Sequence, residues 1–224
     1  KKKYQAGTNE RKLSDFYKMA MDSARRNQEG IAPVKPMLDE MEAAKTLEAL
    51  RQVQLKYGKM GFGVPFGSYF GADDKNVTMN IFSVGQGGLT LGQKDWYVNP
   101  DKATSDIREA FKKHIVRMFE LFGFNHADAQ RKMQSVFRFE TELALVSKSN
   151  VELRDPQANY NKMTLAQFEE TYPNIPLKAY TQAEGIDTKY IQELIVGQPA
   201  FFAGLDKLLP LPTADDLRAI MEWD

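Results

Sequence analysis

The stretch FETELALVSKSNVELRDPQANYNKM, residues 139–163, gathers the side chains from which chemistry would most readily be built. Glu140 lies one helical turn from Val136-Phe137 and from Leu143-Ala144, so helical spacing puts its carboxyl on an apolar stripe. Glu142, two residues on, points nearly the opposite way and can face water. Two carboxylates so arranged cannot act as a glycosidase acid–base pair. A buried carboxylate without a partner costs several kcal/mol. Arg154 is near in sequence, and Pro156 forces Asp155 into an extended conformation that can turn the chain back toward the helix. The expectation is a structural ion pair between Glu140 and Arg154, in preference to a catalytic Glu140.

Other chemistries lack their parts. The chain has two histidines, His114 and His126, and no cysteine. His114 shares the stripe of Ile107, Phe111 and Met118 and is expected at the core edge; His126 follows a helix cap and is expected in solvent. Neither stands in H-E-x-x-H, and a self-contained zinc site is not expected. GGLTLGQK, residues 87–94, has Gln93 where a phosphate-binding loop needs lysine, and GKMGFG, residues 58–63, spaces its glycines wrongly for a dinucleotide turn. Both are read as chain-turning loops. No serine near a histidine sits in a nucleophile elbow. Asn76-Val77-Thr78 matches a glycosylation sequon, which matters only in a eukaryotic secretory setting.

The 224 residues suffice for one large domain or two small ones. Thirty basic and thirty acidic side chains cancel, leaving no electrostatic case for nucleic acid or an anionic membrane surface. No apolar run approaches the ~20 residues of a membrane span, and no signal peptide is recognisable. The absence of cysteine excludes disulfides but leaves the compartment open.

The elements that would position these groups are mainly helical. A helix is expected over 11–29, with Leu13, Phe16, Tyr17, Ala20 and Met21 on one face and Gly30 at its end, and a second over about 34–57, started by Pro33 and Pro36 and capped by Gly58. Period-two alternation at Val64, Phe66, Ser68, Phe70 and at Val77, Met79, Ile81, Ser83 predicts a β-hairpin over about 64–83. Residues 85–100 read as irregular. A third helix is expected from Asn99-Pro100 to Phe122-Gly123, and a fourth from Asn125, with Asp128 completing a capping box, to about Ser147. Thr164 with Gln167 repeats that signal before Pro173. TKYIQELIVG suits helix or strand, and two short helices close the sequence around Pro210 and Pro212. The fold class is mainly α: a multi-helical lobe with one hairpin.

Taken in order, FYKMAMD, GIAPVKPMLDEM, FGADDKNVTMNIFSVGQGGLTLGQKDWYV, FRFETELA, LRDPQANYNKMTL and TYPNIPLKAY resemble the N-terminal part of the neprilysin-like zinc metallopeptidases. That family includes endothelin-converting enzymes and bacterial oligo-endopeptidases. Animal relatives tend to carry a disulfide cysteine where Ala20 stands, so the resemblance implies a bacterial member, exported to the periplasm, the surface or the medium. The family binds zinc through H-E-x-x-H and a downstream glutamate, activates the zinc-bound water with a glutamate, and holds substrate backbone with an Asn-Ala pair. None of these motifs occurs here, so no catalytic or metal residue carries over.

The resemblance therefore implies that residues 1–224 form the non-catalytic, substrate-enclosing N-terminal portion of a two-lobe zinc metalloendopeptidase, inactive alone. Zinc, the C-terminal catalytic lobe and peptide substrates would belong to the full-length enzyme. Arg154, Tyr160 and Asn161 are the residues expected to face the chamber, and dimerisation through the exposed lobe interface is an expected consequence. The alternative is a stand-alone helical module that binds peptides or proteins without enzymatic activity. Neither reading specifies the peptide cleaved or the mode of anchoring.

Overall fold

Two helices expected as single rods are each interrupted by a side-chain cap. The computed structural model describes residues 3–61 and 64–224, in two units, residues 1–39 and 40–224. In the first unit, α1 (Asn9–Met21) and α2 (Ser23–Glu29) replace the rod expected over 11–29. Asp22 ends α1 and, with its carboxylate accepting from Arg25 N at 3.0 Å, begins α2. The stripe of Leu13, Phe16, Tyr17 and Met21 stays more than 60% exposed. α3 (Lys35–Ala43) and α4 (Leu47–Gly58) replace the second rod, because the Thr46 hydroxyl accepts from Ala49 N at 3.1 Å and starts a new helix.

The hairpin forms as β1 (Phe66–Asp73) and β2 (Asn76–Gln86); β1 lies in the span expected, and β2 runs three residues past it, to Gln86. α5 (Asp95–Val98) lies inside the stretch read as irregular. α6 (Lys102–Leu121) begins after Asp101, whose carboxylate caps Thr104 N at 3.0 Å, two residues later than expected. α7 (His126–Val146) is capped by Asn125, as its sequence predicts. A 3₁₀ turn at Glu152–Arg154 leads to β3 (Lys162–Thr164) and α8 (Leu165–Thr171), where Thr164 and Gln167 form the expected capping box. α9 (Leu177–Ala183) was not expected. The ambiguous TKYIQELIVG is split, a 3₁₀ turn at Thr188–Tyr190 followed by β4 (Glu193–Val196), and α10 (Pro199–Leu208) and α11 (Ala214–Trp223) close the chain.

The hairpin is half of a four-stranded sheet in the order β1-β2-β4-β3. β4 runs parallel to β2, pairing Phe82 with Leu194 and Val84 with Val196, and β3 runs antiparallel beside it. One core packs on this sheet, where Phe66, Phe82, Phe168 and Phe202 are all buried. A second lies among α5, α6, α7 and α11, around Tyr97, Phe111, Ile115, Phe119 and Val136. A third holds Met41, Leu50, Val53, Leu217 and Met221. α11 contributes to the second and third cores, so its position links them. No described helix is long and apolar enough to cross a membrane.

Candidate functional site

Glu140 is buried, as its place on the stripe of α7 requires, but its partners are not the one expected. The Thr90 hydroxyl donates to one carboxyl oxygen at 2.6 Å, and the Tyr97 hydroxyl donates to the other at 2.5 Å. Each hydroxyl is held in turn: Trp223 Nε1 donates to Thr90 Oγ1 at 2.9 Å, and Leu91 N donates to Tyr97 Oη at 3.0 Å. Both oxygens are thereby satisfied without a cation. Arg154 forms no ion pair with Glu140 among the described residues. It lies exposed on the 3₁₀ turn beyond the end of α7, while Glu140 sits a turn and a half before that end, facing the segment 88–91. Asp155 is extended, at φ −85° and ψ 102°, as the following proline demands. Its carboxylate turns the chain by accepting from Gln157 N and Ala158 N at 3.0 Å each, and this turn does not return Arg154 to α7.

The glycine-rich segment that superficially resembles a phosphate loop is the strap that carries Thr90 to Glu140. Lys94 Nζ donates to the Ser147 carbonyl at 3.0 Å, tying the strap to the end of α7. Gln86 exchanges two bonds with the Lys148 backbone, at 2.9 and 2.8 Å, at the strap's other end. Arg51, Gln54, Thr90, Phe139, Glu140 and Trp223 border a recess of about 320 Å³. Arg51 donates to the Leu209 carbonyl at 3.1 Å across it. The recess presents the Arg51 guanidinium, the enclosed Glu140, Asp224, Gln54 and Thr90 among apolar walls.

Burial pushes the Glu140 carboxyl above its usual range, against the opposing pull of the Thr90 and Tyr97 hydroxyls. Tyr97 is raised as well, by burial and by the neighbouring carboxylate. A carboxyl raised in the folded state holds its proton more tightly there than when unfolded. Its stabilising contribution is full below the unfolded value of 4.5 and declines as pH rises through the folded one. Comparing thermal midpoints of wild type and Glu140→Gln should therefore show the difference moving in the variant's favour with rising pH. A difference independent of pH would contradict a raised Glu140.

The other residues expected at a site are engaged in scaffold. Tyr160 donates to Asp73 Oδ1 at 2.8 Å, and Lys75 lies 4.2 Å from its ring centroid, so it fastens the hairpin turn. Asn161 Nδ2 donates to the Val196 carbonyl at 3.0 Å, tying the segment before β3 to β4. His126 is exposed as expected, with Nδ1 2.8 Å from Glu120 Oε1 and Nε2 3.0 Å from Gln130. His114 is exposed, not at a core edge, with its ring set edgewise 5.9 Å from Trp223. Among the described residues no three His, Cys, Asp or Glu side chains converge as a metal site. With its two imidazoles apart and otherwise occupied, this donor set does not fit a catalytic zinc. Thr90 and Tyr97 were missed as partners of Glu140, as was Trp223 behind Thr90; the only signal was the aromatic pair Trp96-Tyr97 beside the glycines.

Comparison with known proteins decides what kind of chain this is. The profile of Peptidase family M13, in its N-terminal part, matches residues 1–224. The chain belongs to peptidase family M13. Among M13 relatives, Neprilysin-3 of Drosophila melanogaster is 26% identical over 174 residues, covering 73% of this chain and 22% of its own length. Endothelin-converting enzyme 1 of Mus musculus is 27% identical over 176 residues, covering 74% of this chain and 22% of the mouse protein. The solved Mycobacterium tuberculosis zinc metalloprotease Zmp1, in complex with inhibitor, shares the fold at a TM-score of 0.87 and 24% identity, over 98% of this chain and 33% of that one. PepO from Lactobacillus rhamnosis HN001 does so at a TM-score of 0.71 and 23% identity, over 90% and 32%. The chain thus spans under a quarter of these curated M13 relatives and about a third of these solved chains.

Proposed function

We propose that this chain is the non-catalytic, substrate-enclosing N-terminal portion of a bacterial zinc metalloendopeptidase. The observation that carries the reading is the match to family M13 across all 224 positions by a chain whose described residues hold no donor set for zinc. In this reading the zinc, the water it activates and the groups that act on the peptide bond belong to a C-terminal lobe of the same polypeptide. The helices described here wall off the chamber, admitting peptides and excluding folded proteins, in an extracytoplasmic enzyme. Residues 139–163 then act as scaffold. Of the three residues expected at the chamber, Arg154 is the exposed one, and in this reading it is the one that would meet a peptide.

The purified protein, dialysed against zinc and assayed with internally quenched peptides, is expected to retain no stoichiometric zinc by elemental analysis and to release no fluorescence. Stoichiometric zinc or measurable hydrolysis would overturn the reading. The gene supplies a second test: a reading frame continuing past Asp224 into H-E-x-x-H supports the peptidase, whereas a stop codon there supports a stand-alone binding module.

A further inference from the structure

We propose that Glu42, Lys132 and Glu222 form a proton-operated latch that seats α11 on α7, and with it holds Trp223 on the wall of the Glu140 recess. The three side chains come from α3, α7 and α11. The Glu222 side chain is 0% exposed, and one of its oxygens accepts from Lys132 Nζ at 2.5 Å. The other, Oε1, has no donor among the described residues. Glu42, at the end of α3 and with its side chain 43% exposed, shares the same ammonium at 3.4 Å. Two carboxylates so placed repel. A proton on Glu222 neutralises the enclosed carboxyl and leaves a single negative charge opposite a single ammonium.

The groups around the latch have partners of their own. On α11, Arg218 donates to the carbonyls of Met41 and Ala44 at 3.2 and 2.8 Å and pairs with Asp215 at 2.6 Å. Asp216 accepts from Ser135 and Arg138 of α7 at 2.6 Å each. From the α6 side come His114, edgewise to Trp223, and the ring of Phe119, 5.8 Å from Lys132; Phe124, after α6, lies 4.2 Å from the same ammonium. The pair is split by its surroundings. Burial, and then the adjacent Glu42, push Glu222 up to about 7 against the pull of Lys132. Burial pushes Glu42 up too, but the bond from Glu222 and the charges of Lys132 and Arg218 outweigh it, leaving Glu42 below the usual range. The proton therefore resides on Glu222.

For Glu222, raised from 4.5, the folded state holds a proton that the unfolded chain has lost, so its contribution is full below 4.5 and is lost as pH rises through about 7. For Glu42, lowered, the contribution is present above 4.5 and is lost only as pH falls through its folded value. Between these limits the latch is closed. Above about 7 the proton leaves, the buried Glu222 carboxylate and the partly exposed Glu42 carboxylate face one ammonium, and α11 loosens. Trp223 follows Glu222 directly and donates to Thr90, which donates to Glu140, so the loosening reaches the recess through two hydrogen bonds.

The chain has two tryptophans, so Trp96→Phe leaves Trp223 as the sole reporter. In that background, Trp223 emission and its indole N–H resonance are followed from about pH 5 to 9. The expected result is one transition near pH 7, lost in Glu222→Gln and moved to lower pH in Glu42→Gln, which removes the like charge. Circular dichroism establishes that each variant is folded, and Glu42→Gln alone carries the test if Glu222→Gln is not. No transition in the parent would overturn the proposal. So would a transition that survives Glu222→Gln, or a midpoint that Glu42→Gln leaves unmoved.

Discussion

Replacing Phe202 with alanine is expected to lower the unfolding free energy by about 3–5 kcal/mol, the range for removing a large aromatic from a packed core. Phe202 is fully buried on α10, with Phe66, Phe168 and Phe201 set edgewise to it at centroid distances of 5.8, 5.6 and 5.3 Å. Phe66 comes from β1 and Phe168 from α8, so one side chain joins three elements that are distant in sequence. The loss combines roughly 1.5–3 kcal/mol of apolar transfer with the cavity left behind. Domains of ordinary size are stable by only about 5–15 kcal/mol. Urea unfolding followed by circular dichroism measures the loss, with Phe202→Leu expected to cost under about 1.5 kcal/mol. A loss under about 1 kcal/mol for the alanine variant would mean that the core on the sheet does not pack as described.

Gly88→Ala is the second large effect, expected to cost roughly 2–5 kcal/mol: about 1–2 for a side chain in the left-handed region and about 1–3 for crowding. Gly88 has φ +77°, and a Cβ there would lie 2.8 Å from the Pro65 Cα and 3.1 Å from Leu143. Gly92, four residues on, has φ +81° but open space around its Cβ, so Gly92→Ala should show the backbone cost alone. The difference between the two unfolding free energies isolates the close approach of the strap to the chain before β1. Equal costs would show that the strap has room to move. Because Gly88 lies two residues before Thr90, the damaged variant should also lose the pH-dependent difference seen with Glu140→Gln.

Signals carried by neighbouring residues could be read directly. Asn125, Thr164 with Gln167, and the alternation in the hairpin each express a preference satisfied within a few residues, and the structure shows them where the sequence put them. The breaks at Asp22 and Thr46 were also written in cap-forming residues, but apolar periodicity running across both hid them. β3 is three residues long and has meaning only beside β4, so nothing local announced it.

The sequence by itself determined the family, the mainly helical class and the burial of Glu140, since each follows from residue types in order or from one helix's period. Only the tertiary structure decided what satisfies that carboxyl. Arg154, 14 residues on and expected to turn back toward the helix, was the guess, but Thr90 and Tyr97 reach it from 50 and 43 residues away. Two hydroxyls satisfy a buried acid's oxygens without the desolvation of a second charge that an arginine would bring. Glu42 and Lys132 are likewise separated by 90 residues, as are Lys132 and Glu222. Three unremarkable surface-type residues became one charge cluster because the packing of α3, α7 and α11 brings them together, with Glu222 enclosed and Glu42 at the edge. Spacing along a chain reports which face of an element is buried; which groups meet there depends on how the elements pack.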